Sequence, residues 1–491
     1  MKIVSKCTGS ENIYLYRTTG VIMHNPIACL LPLLILILVS TPGFADVMGI
    51  TENATTQAFA DAGFQVNTGK MEMFDVTGMY EAGISSSCYA NNPSAPYMLS
   101  KIPDAPGQTA QNHLSDAPLH PENAGLWAEY KLRPDEAIVY LGTTPPECDY
   151  FSYCGYIVMR YFPAEGQVRR VFASLGDTIN RQKLQMETIY GNDPFKQPII
   201  VIFSADTNTA KTATTALIQA GYPEDIIHTL PIPHTMVKMG LEAESDSFTL
   251  LHRMAFFQNT QDGDSYMNST PGVVYRLTPD EYTEPAYFPV PELIVRGTGD
   301  TRELDLYADL EELKEAILDT YGRKRAEEMS TEVWLYEGYD GIQRNIDVLG
   351  ETRDTVYLKT SNTTLGDNPD EFIIVYGVNH AATKKSTYAN FGLYGTTALN
   401  GIGGVSNHDY TGTAESYIPN NPNAKYLYVG KIARQDDGSP ATVAIPYDAL
   451  AHGIELDEPC FVGFRAYVEP DTKVGPIWSE IVYDRAIKFN P

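Results

Sequence analysis

The stretch Pro198–Phe203, PIIVIF, is an unbroken apolar run, and it leads directly into Ser204, Asp206 and Thr207. A short continuous run of this kind reads as a strand buried on both faces. Asp206 and its neighbours offer N-cap side chains, Ala210 to Ala220 has helical spacing, and Gly221 follows as a C-cap. The segment Asp225–Pro231 then supplies the next strand. This strand–helix–strand order predicts a small α/β unit.

Working outward from that unit, Ala137–Leu141, Tyr156–Phe162 and Val168–Ser174 have the composition of further strands. Residues 236–292 show no clean period. Arg302–Met329 carries Leu304, Tyr307, Leu310, Leu313, Ile317 and Tyr321 at three- and four-residue spacing, which predicts an amphipathic helix. Beyond it, strands are predicted at Glu332–Tyr336, Thr355–Lys359, Glu371–Tyr376, Tyr426–Ile432, Cys460–Val468 and Trp478–Phe489. The Gly-rich segments 295–300 and 400–404 read as loops. The predicted fold class is α+β: a small α/β region (strand–helix–strand) followed by a β-rich, sandwich-like domain.

The expected organisation has a signal peptide at 1–45, an acidic, Pro-rich region at 46–130, an α/β domain at 131–292, and a helix plus β-rich domain at 293–491. Ile27–Val39 is apolar but short of the roughly 20 residues of a membrane span. It fits a signal h-region, with Lys2, Lys6 and Arg17 upstream and a cut expected after Ala45. An uncleaved signal-anchor is the alternative, and Met23 is an alternative start. Asn91–Asn123, with six prolines, reads as an extended surface connection.

The chain has 491 residues and a formal net charge of −27. That balance argues against nucleic acid, whose phosphates would be repelled over most of the surface. Of six Cys, Cys7 and Cys29 fall in the targeting segment. An oxidising compartment then favours disulfides among Cys88, Cys148, Cys154 and Cys460, with Cys148 joined to Cys154 and Cys88 to Cys460 as the pairing expected. Free buried thiols are the alternative. Sequons at Asn53, Asn268 and Asn362 fit a secreted or cell-surface location.

Three textures could carry chemistry. Ser174–Asn180 holds Gly176-Asp177-Thr178 after a strand and resembles the nucleophile turn of GDSL-type hydrolases. Phe372–His380 ends in Gly377, Asn379 and His380 and resembles their Gly-x-Asn-Asp block, and Asp448 to His452 resembles their terminal Asp-x-x-His. Such a set would supply a nucleophile, an amide donor for an oxyanion, and an oriented imidazole. The chain departs from that pattern: Thr178 replaces Ser, His380 replaces Asp, and the last block has one residue too many. The competing reading makes Asp177 and Asn379 turn residues bonded to their own backbone.

The second texture is the crowd of carboxylates and arginines from Glu332 to Glu371, including Glu337, Glu351, Arg353 and Asp354 beside Trp334, Tyr336 and Tyr339. It would suit glycoside chemistry or a solvated ion-pair network. The third is a set of acidic turns at 262–264, 366–371 and 436–438, which could take a structural calcium or stand as solvated loops. No cofactor signature is present. Two functions compete: an exported envelope protein that binds carbohydrate or another surface component, and a secreted esterase- or glycosidase-like hydrolase built on Asp177, Thr178, Asn379 and His380. A membrane would be met only through an uncleaved anchor.

Overall fold

The structure is a computed structural model, and it describes residues 49–184, 193–447 and 450–491. The expected signal segment, with its cleavage site, and Asp448 lie outside those residues. The described residues form one compact unit. The chain is an α+β protein dominated by large curled sheets, as its sequence predicts.

The first ten strands are β1 (Phe64–Met73), β2 (Tyr97–Lys101), β3 (Ala137–Thr143), β4 (Cys148–Phe162), β5 (Gln167–Ser174), β6 (Ile179–Asn180), β7 (Pro198–Ser204), β8 (Ile227–Pro231), β9 (Phe248–Phe257) and β10 (Gly272–Pro279). They form one 10-stranded sheet in the order β5-β4-β9-β2-β1-β10-β3-β7-β8, with β6 added beside β4. Only β7 and β8 run parallel within it. Helix α1 (Glu52–Asp61) precedes β1, and helix α2 (Thr207–Ala220) makes the crossover between β7 and β8. Its N-cap is Asp206, which accepts from the amides of Asn208 and Thr209, and its C-cap is Gly221 at φ 106°.

Alternation along β7 sets the layers. Ile200 and Ile202 pack with Ala213 and Leu217 of α2 and Phe59 of α1. Ile199, Val201 and Phe203 point the other way, into a core shared with Phe151 and Tyr153 of β4 and Leu250 and Met254 of β9. Because β7 and β4 stand far apart in the strand order yet share one core, the sheet curls over on itself. The structure puts Tyr97–Lys101, inside the segment read as a surface connection, into a nearly wholly buried strand between β9 and β1. The boundary expected at residue 130 therefore runs through a single sheet.

The remaining strands form two 5-stranded sheets. One holds β11 (Ala326–Met329), β14 (Phe372–Val378), β17 (Leu427–Ala433), β18 (Thr442–Ala444) and β20 (Arg485–Phe489). The other holds β12 (Thr331–Val333), β13 (Thr355–Thr360), β15 (Tyr388–Gly395), β16 (Gly401–Ser406) and β19 (Cys460–Tyr467). They face each other as a sandwich, with Ile373, Val375 and Ile432 meeting Val356, Phe391, Val462 and Phe464. Helix α3 (Tyr307–Tyr321) covers the outer face of the first sheet through Leu310, Leu313 and Ile317. It ends at Gly322 (φ 100°), well before Met329, because the chain must turn there to start β11. Gly401–Gly404, read as a loop, lies in the edge strand β16.

The second sandwich sheet turns its other face toward the large sheet. Tyr388 and Tyr467 of the sandwich pack against Tyr150 and Ala255 of the large sheet, with the rings of Tyr150 and Tyr467 4.7 Å apart. Among the described residues no helix is long and apolar enough to cross a membrane.

Candidate functional site

The residues expected to form one hydrolytic site fall into two separate clusters. After β5 the chain turns through Gly176, and Thr178 is buried. Its hydroxyl donates to Asp354 Oδ2 at 2.6 Å. The same carboxylate accepts from Tyr150 OH at 2.9 Å and from Asn180 Nδ2 at 2.9 Å. Burial raises the Asp354 pKa, with Lys183 and the hydrogen bonds pulling the other way. Asp177 accepts from Arg353 Nε at 2.7 Å and from the Ile294 amide at 2.7 Å. Arg353 also pairs with Glu337, which in turn pairs with Arg296. Thr178 thus has a carboxylate for its partner and no imidazole, and the cluster ties the β5 turn of the large sheet to the start of β13.

His380 stands at the end of β14, buried between two carboxylates. Its Nδ1 lies 2.9 Å from Glu303 Oε1 and its Nε2 3.4 Å from Asp484 Oδ2. Burial alone would disfavour the charged ring, but Glu303 and Asp484 outweigh it and lift the pKa to about 10. A ring held protonated with both nitrogens occupied cannot act as a general base near neutral pH. Asn379 accepts from the amides of Ala381 and Ala382 and donates to Thr411 Oγ1, as a turn residue does. His452 sits on the surface and pairs with Glu81 at 3.2 Å.

The other candidates are placed as follows. Cys88, Cys148, Cys154 and Cys460 are buried free thiols, which corrects the expected pairing. Cys148 and Cys154 occupy one continuous strand, six residues apart, so their Cα atoms are separated by about 20 Å at ~3.3 Å per residue, far beyond disulfide reach. Cys88 packs with Val76, Ala398 and Ala451, whereas Cys460 belongs to the sandwich core. Asn53, Asn268 and Asn362 are all exposed. Asp262 pairs with Lys196, Glu371 with Lys488, and Asp437 with Lys431. Among the described residues no group of three or more His, Cys, Asp or Glu is placed to hold a metal. Of the 332–371 crowd, Glu351 is fully buried, its pKa raised by that burial, and it accepts from the Ser174 hydroxyl at 2.5 Å.

Sequence reasoning missed a cavity of about 40 Å³ between the large sheet and the sandwich. Arg253 enters it from β9 and Arg465 from β19. Along β9, Leu250 and Met254 face the large-sheet core, so Leu251 and Arg253 face the sandwich. Along β19, Val462 and Phe464 fill the sandwich core, so Arg465 and Tyr467 face the large sheet. Phe74, Tyr89, Tyr97, Phe172 and Tyr357 add aromatic walls, and no Asp or Glu lines the space.

Both arginines are 5% exposed. Arg253 donates to Tyr156 OH and Gly350 O, and Arg465 to Tyr394 OH and, at 2.8 Å, to Ala90 O. Neither forms an ion pair with a carboxylate among the described residues, whereas Arg160, Arg276, Arg296 and Arg353 all do. Arg434 also lacks a carboxylate but donates to four backbone carbonyls. Four lining residues other than glycine hold left-handed backbone: Tyr89 (φ 54°), Ala90 (55°), Phe172 (29°) and Leu349 (56°). Each such residue costs on the order of 1 kcal/mol or more, and strain of this kind gathers where a fold is shaped around a ligand. The sequence signal was a lone Arg inside each of two apolar runs, FTLLHRMAFF and CFVGFRAY.

No protein-family model matches this chain, and no curated protein matches it in sequence. Among solved structures it is similar to an uncharacterised protein from Burkholderia cenocepacia, at 12% identity over 89% of this chain and 85% of that one, with a TM-score of 0.37. It is also similar to the VPA0106 protein from Vibrio parahaemolyticus, at 8% identity over 89% of this chain and 96% of that one, again with a TM-score of 0.37.

Proposed function

We propose that this chain is an exported binding protein whose ligand seats in the cavity between the large sheet and the sandwich. The observation that carries the reading is the pair of buried guanidiniums, Arg253 and Arg465, which line one aromatic-walled space without a carboxylate partner. Burying a cation is expensive unless a counter-charge or a dense set of acceptors compensates it. Here each guanidinium is given one phenol, one carbonyl and the faces of neighbouring aromatic rings, with no counter-charge. The strained backbone around the same space supports a shape kept for an occupant.

Export rests on the apolar segment Ile27–Val39 and on the three exposed sequon asparagines. The hydrolase reading has less support, since Thr178 is bonded to Asp354 while both His380 nitrogens face Glu303 and Asp484. The test is a thermal-shift screen of small polar and aromatic molecules against the mature chain and a Leu335→Trp variant, in which an added indole fills the cavity from its wall. Ligands that raise the melting temperature of the wild type and not of the variant are expected. Hits that stabilise both proteins equally would contradict this site.

A further inference from the structure

We propose that the cavity binds a compact oxyanion, a carboxylate or phosphate group, between Arg253 and Arg465. The inference rests on the reading of this cavity as the binding site and adds the chemistry of what fills it. Its basis is the donor count. Tyr97 OH accepts from the Asn92 amide at 2.9 Å, Tyr357 OH from the Thr352 amide at 3.0 Å, and Tyr467 OH from Asn92 Nδ2 at 3.0 Å. Each phenol oxygen is already an acceptor, and none of the three O–H protons has an acceptor among the described residues. Burial pushes the Tyr357 phenol up to about 12 and raises Tyr467 well above its usual value, so both keep their protons at neutral pH.

Two guanidiniums and three phenol O–H groups therefore line one space, all of them donors. A neutral sugar could accept from these donors through its hydroxyl oxygens, but it carries no charge to offset the guanidiniums and brings protons for which no carboxylate lines the space. An oxyanion supplies only acceptors and a negative charge, and planar guanidiniums match its oxygens in pairs. The volume also fits, because a water needs about 10–15 Å³ and this space holds roughly three, the bulk of an acetate or phosphate group.

The experiment is calorimetric titration of the mature chain with acetate, inorganic phosphate and acetamide, the last being a neutral molecule of acetate's shape. Tyr357→Phe and Tyr467→Phe are run alongside, with circular dichroism as the check on folding. Acetate or phosphate is expected to bind while acetamide does not, and each Phe variant is expected to weaken that binding about tenfold with its fold intact. Preference for acetate identifies a carboxylate ligand, and preference for phosphate a phosphorylated one. Binding of acetamide or of screened neutral molecules, with no binding of either anion, overturns the oxyanion and leaves the binding site standing. If neither anion binds and no screened molecule distinguishes wild type from Leu335→Trp, both readings fall.

Discussion

Arg253 and Arg465 approach one another from different sheets, each on the face of its strand opposite to that strand's own hydrophobic core. Period-two alternation puts them there: Leu250 and Met254 commit β9, and Val462 and Phe464 commit β19. The space they line lies beside the tyrosine packing of Tyr150 on Tyr467. Two buried cations facing one gap define what that gap can hold.

His380 contributes stability with a particular pH signature. Its pKa rises from 6.5 to about 10 on folding, so the contribution is fully present below pH 6.5 and is lost as pH rises toward 10. Urea denaturation across pH 6–10 should show falling stability, on the order of 4 kcal/mol over that window. His380→Gln should remove most of that slope. A wild-type curve as flat as the variant's would show that the ring is not held as an imidazolium.

Asp354 gathers three buried donors from the large sheet, Tyr150, Thr178 and Asn180. Asp354→Ala takes an acceptor from all three and leaves the buried Thr178 hydroxyl with none, at about 1–3 kcal/mol for a group left unsatisfied, while Asn180 keeps Lys473 O and Tyr150 keeps Ser152 Oγ. The melting temperature should fall sharply. Thr178→Ser, which keeps the hydroxyl, should be nearly neutral for stability and should confer no ester hydrolysis. An ester-cleaving wild type inactivated by Thr178→Ala would return this cluster to catalysis.

Cys88, Cys148, Cys154 and Cys460 are free, and burial pushes the Cys88, Cys154 and Cys460 thiols up to about 12. Ellman titration of residues 46–491, unfolded without reductant, should find four thiols, and the folded protein should react slowly. A count of two or fewer would restore a disulfide.

Much of the fold was legible where one element had one period. Pro198–Gly221 gave strand, cap, helix and C-cap together, because a two-sided apolar run and an Asp N-cap leave few alternatives. Residues 236–292 were opaque because β9 is buried on both faces by different partners, so His252 and Arg253 break an apolar run that carries no alternation of its own. Edge strand β16 was hidden by its glycines, whose pairing with β15 is a tertiary matter.

The candidate site was less legible for the same physical reason. Asp177, Thr178, Asn379 and His380 are polar residues at strand ends, which local sequence marks as chemistry. Asn379 caps its own turn, whereas the other three are set by partners more than 70 residues away, Asp354 and Arg353 for Thr178 and Asp177, and Glu303 and Asp484 for His380. Arg253 and Arg465 are separated by more than 200 residues, and no local pattern says that they share a cavity.

Crystallography of the soaked protein shows at once whether the cavity takes an anion. Native crystals grown without carboxylate or phosphate would be soaked separately in selenate and in acetate. An ordered oxyanion is expected within hydrogen-bond reach of both Arg253 and Arg465, with the phenols of Tyr97, Tyr357 and Tyr467 around it. Selenate and acetate found only at surface side chains, with water alone between the two guanidiniums, would contradict it.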